Sequence, residues 1–172
     1  MGRDKALLPF KGRTLVEFVA AEVHAVTHVV TVVGNISRHS YLSYPVIEDI
    51  FPGRGPLSGI HAALTASRAE WNVIVACDMP DVTSEFLRQV VERAESGGAD
   101  AVLPAGPSGL PEPLCAAYRR RSLESIADAL ERGIRKVTDG LAGLAVDIWH
   151  VPDSRYFHNL NSPQDWSSHT NG

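Results

Sequence analysis

Asp78 stands inside Ala76-Cys77-Asp78-Met79-Pro80, where the apolar run Asn72 to Cys77 ends. A carboxylate directly after a buried strand has no apolar reason to be there. It suits a hard cation such as Mg²⁺, which takes one or two carboxylates and leaves its other positions to water and phosphate. The competing reading is a cap or turn residue ahead of Pro80. Asp49 closes Val46-Ile47-Glu48-Asp49. It reads either as an acceptor for a base or ribose edge or as a turn residue before Gly53, with Glu48 as its neighbouring substitute. Lys5, in Gly2-Arg3-Asp4-Lys5-Ala6-Leu7, reads as a phosphate-binding point charge or as a solvated end. Gly34 and Asn35 follow the run Val29 to Val33 and so occupy another strand end. Asn161, in Asn159-Leu160-Asn161-Ser162-Pro163, either caps a helix begun by Pro163 or brings an amide oxygen to a metal.

The segment Pro52-Gly53-Arg54-Gly55-Pro56-Leu57-Ser58-Gly59 is rich in glycine and proline. Glycines let backbone approach a ligand, and the helix after them offers its positive end to an anion. Its Gly-x-Gly-x-x-x-Gly spacing is one residue longer than a dinucleotide fingerprint, and no Gly-Lys-Ser/Thr follows. NAD binding and a Walker A loop are therefore both disfavoured. The seven histidines form no zinc pattern, and Gly-x-Ser-x-Gly is absent. Cys77 and Cys115 both lie in apolar runs and read as core. Arg119-Arg120-Arg121 reads as a solvated strand end or a guide for an anionic substrate.

These residues need elements to hold them. Thr14-Leu15-Val16-Glu17 has the form of a capping box, and the apolar residues Leu15 to Val26 fall at helical spacing. Strands are expected at Val29–Val33, Pro45–Ile47, Asn72–Cys77, Ala101–Leu103, Leu114–Tyr118 and Ala145–Trp149. Helices are expected after Gly59, over Ser84–Glu95, after Ser122 and around Lys136–Leu141. Alternating strands and helices, with near-continuous apolar strands, predict a three-layer α/β fold with a mainly parallel sheet. Ligands of such sheets bind at the carboxyl ends of the strands, where the candidate residues fall.

The chain has 172 residues, the size of one domain. Its 16 basic and 20 acidic residues give a net charge of −4, which argues against a nucleic-acid or membrane-surface binder. Two cysteines fit a reducing cytoplasm better than a disulfide scaffold. No apolar run approaches the ~20 residues of a membrane-spanning helix.

The ordered set of motifs resembles the molybdenum cofactor nucleotidyltransferases, best their guanylyltransferase branch. Gly2-x-Asp4-Lys5-Ala-Leu-Leu-Pro-Phe10-x-Gly12-x-Thr14-Leu15 is similar to the family's activation motif. Glu48-Asp49, Pro52-Gly-x-Gly55-Pro-Leu-x-Gly59, Cys77-Asp78-Met-Pro80, Pro113-Leu-Cys-Ala-Ala-Tyr118 and Asn159-Leu-Asn161-Ser-Pro163 follow in family order. The resemblance implies a Rossmann-like, GT-A-like nucleotidyltransferase domain over 1–166, with 167–172 a frayed tail. It implies transfer of GMP from Mg-GTP to molybdenum-molybdopterin, forming the guanine dinucleotide cofactor and releasing pyrophosphate. Lys5 matches the lysine that contacts GTP phosphates, and Asp49 the acidic GTP-binding position. Asp78 matches the position that binds GTP and magnesium. Gly34 or Asn35 falls near a nucleotide-contacting position, and Asn161 resembles a second metal-side position.

Family members carry a strand and a Leu-Ala-Gly-Gly-x-Ser-x-Arg loop ahead of the segment that opens this sequence. The resemblance thus implies an N-terminally incomplete domain whose neighbouring strands expose unpaired edges. Two other readings stay open. One is a transferase that uses CTP or another phosphorylated acceptor. The other is an inactive cofactor-binding protein that pairs with molybdoenzyme maturation partners.

Overall fold

The computed structural model describes residues 5–160. A short 3₁₀ turn, Lys5–Leu7, leads into a hairpin of β1 (Pro9–Phe10) and β2 (Arg13–Thr14). Its two-residue turn is Lys11-Gly12, both at positive φ (45° and 80°), the geometry that matches strand twist. Helix α1 (Leu15–Thr27) starts at the expected capping box. The Thr14 hydroxyl accepts from Glu17 N–H, and the Glu17 carboxylate accepts from Thr14 N–H at 2.8 Å.

The chain then forms β3 (Val32–Val33), the single-turn helix α2 (Ile36–His39) and β4 (Val46–Ile47), which pairs parallel with β3. Helix α3 (Pro56–Ala66) returns the chain to β5 (Trp71–Val75). Helix α4 (Ser84–Ser96), β6 (Ala101–Ala105), β7 (Cys115–Arg119), α5 (Leu123–Glu131), α6 (Val137–Gly140) and β8 (Val146–His150) complete the described elements. A 3₁₀ turn at Arg155–Phe157 precedes the last described residues.

The larger sheet has the order β5-β7-β6-β8. Strand β7 sends successive side chains into cores on its two faces. Ala116 and Tyr118 join the core under α3, α5 and α6, while Cys115 and Ala117 join the core under α4. Tyr118 is fully buried, and its hydroxyl donates to Pro113 O at 2.7 Å. Burial raises the Tyr118 and Cys115 pKa values, so both stay protonated. The three-layer α/β arrangement is the one expected, but the sheet is mixed. The β3–β4 and β6–β8 pairs are parallel, whereas β7 runs antiparallel to both β5 and β6.

Among the described residues no strand lies between β3 and β5: β3 pairs with β4 alone and β5 with β7 alone. The interval is a cleft of about 1060 Å³. Val16, Val19 and Ala20 of α1 line it, as do Ile60 and Ala63 of α3. This explains two departures from expectation. Only Val32–Val33 of the run from Val29 is paired strand, and Val29 itself is exposed. All five residues of β5 are half-buried rather than buried.

Candidate active site

The turn after β5 carries Asp78, three residues beyond the strand's last residue rather than directly after it. Its carbonyl accepts from Leu160 N–H at 2.9 Å, which fixes the backbone. Its carboxylate makes no hydrogen bond or ion pair among the described residues. Leu160 is itself anchored, because it packs with Phe10 and Leu15, with Phe18 against them. The 10–18 segment, the β5 turn and the 159–160 segment are thus held as one unit.

Asn159 precedes Leu160, and its Oδ1 is buried without a hydrogen-bond partner. A buried amide oxygen left unmade costs about 1–3 kcal/mol. This oxygen, next in sequence to the residue that clamps Asp78, and the unengaged Asp78 carboxylate are both donors of the kind a hard cation takes. Nothing in the sequence marks Asn159 rather than Asn161, because its orphan state depends on tertiary packing. Asn161 lies outside the described residues. Among the described residues no group of three His, Cys, Asp or Glu side chains gathers to hold a metal. Any cation here would depend on amide oxygens, water and substrate phosphate for the rest of its shell.

Lys5 lies in the opening 3₁₀ turn and lines the same cleft as Asp78, Pro56 and Gly59. Helix α3 begins at Gly55 (φ 79°) with Pro56 in its first turn. Proline supplies no N–H where helix donors are unpaired anyway, and its φ suits a helix start. Because α3 runs back from the carboxyl end of β4 to the amino end of β5, its N-terminus and Asp78 share one edge of the fold. The structure therefore brings Lys5, Asp78 and the positive end of α3 to one cleft. The loop before α3 is tied down, since Arg54 donates to Leu130 O at 3.3 Å.

The other expected nucleotide residues have local partners. The Asp49 carboxylate accepts from Phe51 N–H at 2.8 Å and from the buried Ser58 hydroxyl at 2.5 Å. It fastens the glycine-rich loop to α3, the turn role left open in the sequence. Asn35 caps α2, accepting from Arg38 N–H at 3.0 Å and the Ser37 hydroxyl at 2.6 Å. Gly34 N–H donates to Ile47 O at 2.9 Å, and a Cβ there would meet the His39 ring at 3.0 Å. None of Gly34, Asn35 and Asp49 lines the cleft that holds Lys5 and Asp78.

A second cleft, of about 420 Å³, opens between the loop before β7 and the 154–158 segment. The 103–113 loop, which the sequence offers as a place for molybdopterin, supplies Gly106, Ser108, Leu110 and Glu112 to it. Tyr156 stacks on Phe86 with ring centroids 4.1 Å apart, which pins this segment to α4. Gly106 permits the close approach, since a Cβ would meet Ser154 Cβ at 3.2 Å.

No helix of the described residues is long and apolar enough to cross a membrane. Residues 1–146 match the family model of the MobA-like NTP transferase domain. A molybdenum cofactor guanylyltransferase of Desulfosudis oleivorans is 34% identical, over 95% of this chain and 84% of that protein. A probable molybdenum cofactor guanylyltransferase of Pelotomaculum thermopropionicum is 32% identical, over 96% and 83%. The crystal structure of molybdopterin-guanine dinucleotide biosynthesis protein A from Archaeoglobus fulgidus superposes with a TM-score of 0.81. It is 29% identical, over 98% of this chain and 89% of that one. A Thermus thermophilus 2-C-methyl-D-erythritol 4-phosphate cytidylyltransferase (TM-score 0.75, 18% identical, covering 96% and 91%) shares the fold. The chain is a nucleotidyltransferase and belongs to the family of the MobA-like NTP transferase domain.

Proposed function

We propose that this chain transfers GMP from GTP to molybdenum-molybdopterin and releases pyrophosphate. The observation that carries the reading is the convergence of Lys5, Asp78 and the start of α3 on one cleft. The relatives named as guanylyltransferases favour GTP over CTP.

A terminal phosphate oxygen of the acceptor bonds to the α-phosphorus, and the α–β bridging P–O bond breaks in line. The electron pair leaves with pyrophosphate. The attacking oxygen is already ionised, so no general base is required. Charge that builds on the phosphate oxygens is met by the Lys5 ammonium and the N–H groups of α3. Mg²⁺, held by Asp78 with Asn159 Oδ1, supplies further charge neutralisation when bound. Asn161 is a further oxygen donor in this proposal. Asp49 acts through the loop it fastens, and Gly34 and Asn35 shape the end of β3. The reaction takes place in the cytoplasm, where the two cysteines remain thiols.

The test is transfer of label from GTP labelled at the α-phosphate into the dinucleotide product, with pyrophosphate release measured alongside. Label transfer that requires both Mg²⁺ and acceptor supports the reading. Transfer from CTP at an equal rate favours the cytidylyl alternative.

A further inference from the structure

The cleft between the loop before β7 and the 154–158 segment is lined by Asp81, Ser108, Glu112, Arg155, Phe157 and His158, among others. Its cations are already engaged. Arg155 pairs with Asp153 at 2.8 Å and donates to the Tyr156 hydroxyl at 3.2 Å. His158 Nδ1 lies 3.8 Å from an Asp81 oxygen. Glu112 is different. Its backbone is fixed, with N–H donated to Pro104 O at 2.8 Å and carbonyl accepting from Cys115 N–H at 3.1 Å. Its carboxylate makes no hydrogen bond or ion pair among the described residues, although the residue is half-buried. Burial pushes the Glu112 carboxyl above the usual range, and no neighbour lowers it again.

A half-buried carboxylate is only partly hydrated, so a ligand that brings its own donors is favoured there. A rigid carboxylate has two oxygens side by side. It suits a planar edge with two adjacent N–H donors, as arginine shows in its paired contacts. The 2-amino-4-oxo-pyrimidine edge presents that pair, and it occurs in both pterins and guanine. The cleft volume of about 420 Å³ lies within the range of small-molecule sites, and the Phe157 ring is a flat wall for a heterocycle.

We propose that Glu112 anchors the acceptor by taking the paired N–H donors of its pterin ring, held in this cleft beside Phe157. The identity of the acceptor rests on the reading under Proposed function. Pterin is favoured over guanine because Lys5 and Asp78, the phosphate and metal residues of that reading, line the other cleft.

The test is fluorescence titration of the 172-residue chain with 6-hydroxymethylpterin, in parallel with calorimetric titration by Mg-GTP. Glu112→Gln and Glu112→Ala are compared with the unaltered chain, and far-UV circular dichroism checks the fold. Pterin affinity should fall at least tenfold in both variants, since the amide offers one acceptor where two are needed. Mg-GTP affinity should be unchanged. Pterin binding by the unaltered chain should weaken on acidification through the Glu112 titration, and Glu112→Gln should lose that component. Asp81, Arg155 and His158 line the same cleft, Asp153 pairs with Arg155, and all four are common to all three proteins. Equal pterin affinity in folded Glu112→Ala overturns the proposal, as does no pterin binding by a chain that binds Mg-GTP. Loss of GTP rather than pterin affinity overturns it in favour of guanine. Pterin binding that depends on Glu112, in a chain that never binds GTP, upholds the anchor and contradicts the guanylyl reading.

Discussion

Leu160 N–H donates to the Asp78 carbonyl at 2.9 Å, so the last described residue clamps the turn that carries the candidate metal ligand. The clamp holds backbone only and leaves the Asp78 carboxylate without a partner among the described residues. Structure and chemistry at this position are therefore separable by mutation.

Asp78→Ala should leave the thermal midpoint unchanged within the error of a melt. It should reduce Mg-dependent nucleotide turnover by roughly 10²–10³ in kcat, the usual cost of one electrostatic contact to a transition state. Paired calorimetry and pyrophosphate-release assays check both halves. Undiminished turnover would remove Asp78 from the site.

Asn159→Ala deletes a buried oxygen that has no partner. Stability should hold or rise, because no hydrogen bond is lost. The Mg²⁺ concentration for half-maximal turnover should increase. A large loss of stability with no change in metal requirement would assign Asn159 to the core instead.

Thr14→Ala removes one side of the capping box at α1. The expected cost is about 1 kcal/mol in denaturant unfolding. A smaller loss, within experimental error, would mean that tertiary packing alone starts the helix.

Gly140→Ala should destabilise the fold by about 1–3 kcal/mol, the range for overpacking. A Cβ there would lie 2.5 Å from Leu57 Cδ2, and Leu57 is fully buried. Chemical denaturation gives the value. A gain in stability would show that α6 moves freely over α3.

Acidification should destabilise the chain in two steps. Burial holds the His61 imidazole below its usual pKa, against a smaller opposing pull from Asp49. The unfolded chain therefore takes up a proton below about pH 6.5 that the folded chain resists, and stability falls. The Asp100 carboxyl is held low first by Ala145 N–H at 2.9 Å and then, against desolvation, by Arg121. Glu17 is held low first by the Thr14 hydroxyl. Their contributions are complete above about pH 4.5 and are lost as pH drops through the folded values. Unfolding midpoints across pH 3–8 should show both steps, with His61→Leu flattening the upper and Asp100→Asn the lower. The raised Glu112 carboxyl works in the opposite sense over the upper window, so an upper pH dependence that His61→Leu leaves unchanged would contradict this.

Some local signals in the sequence were legible, while the start of α3 was not, since it falls at Pro56 rather than after Gly59. The Thr14–Glu17 box and the span of α4 each depend on residues a few positions apart. Strand limits and direction were not, because pairing joins distant segments. The run from Val29 is β-branched throughout, yet it pairs over two residues, since the cleft flanks β3. The antiparallel course of β7 is set by its return from β6 across the 106–114 loop. Asp78 was visible as a carboxylate near a strand end. Asp49 was visible too, but its bonds to Phe51 and Ser58 depend on how the loop folds back. Glu112 was legible only as one residue of the 103–113 loop, and Asn159 only as a neighbour of Asn161, because packing alone shows that their oxygens lack donors.

The central claim, capture of guanine nucleotide by the Lys5 and Asp78 cleft, is tested most directly by calorimetric titration of the chain with Mg-GTP and, in parallel, Mg-CTP. The account predicts saturable GTP binding at least tenfold tighter than CTP and lost on chelation of the metal. Equal affinity for the two nucleotides, or GTP binding indifferent to magnesium, would contradict it.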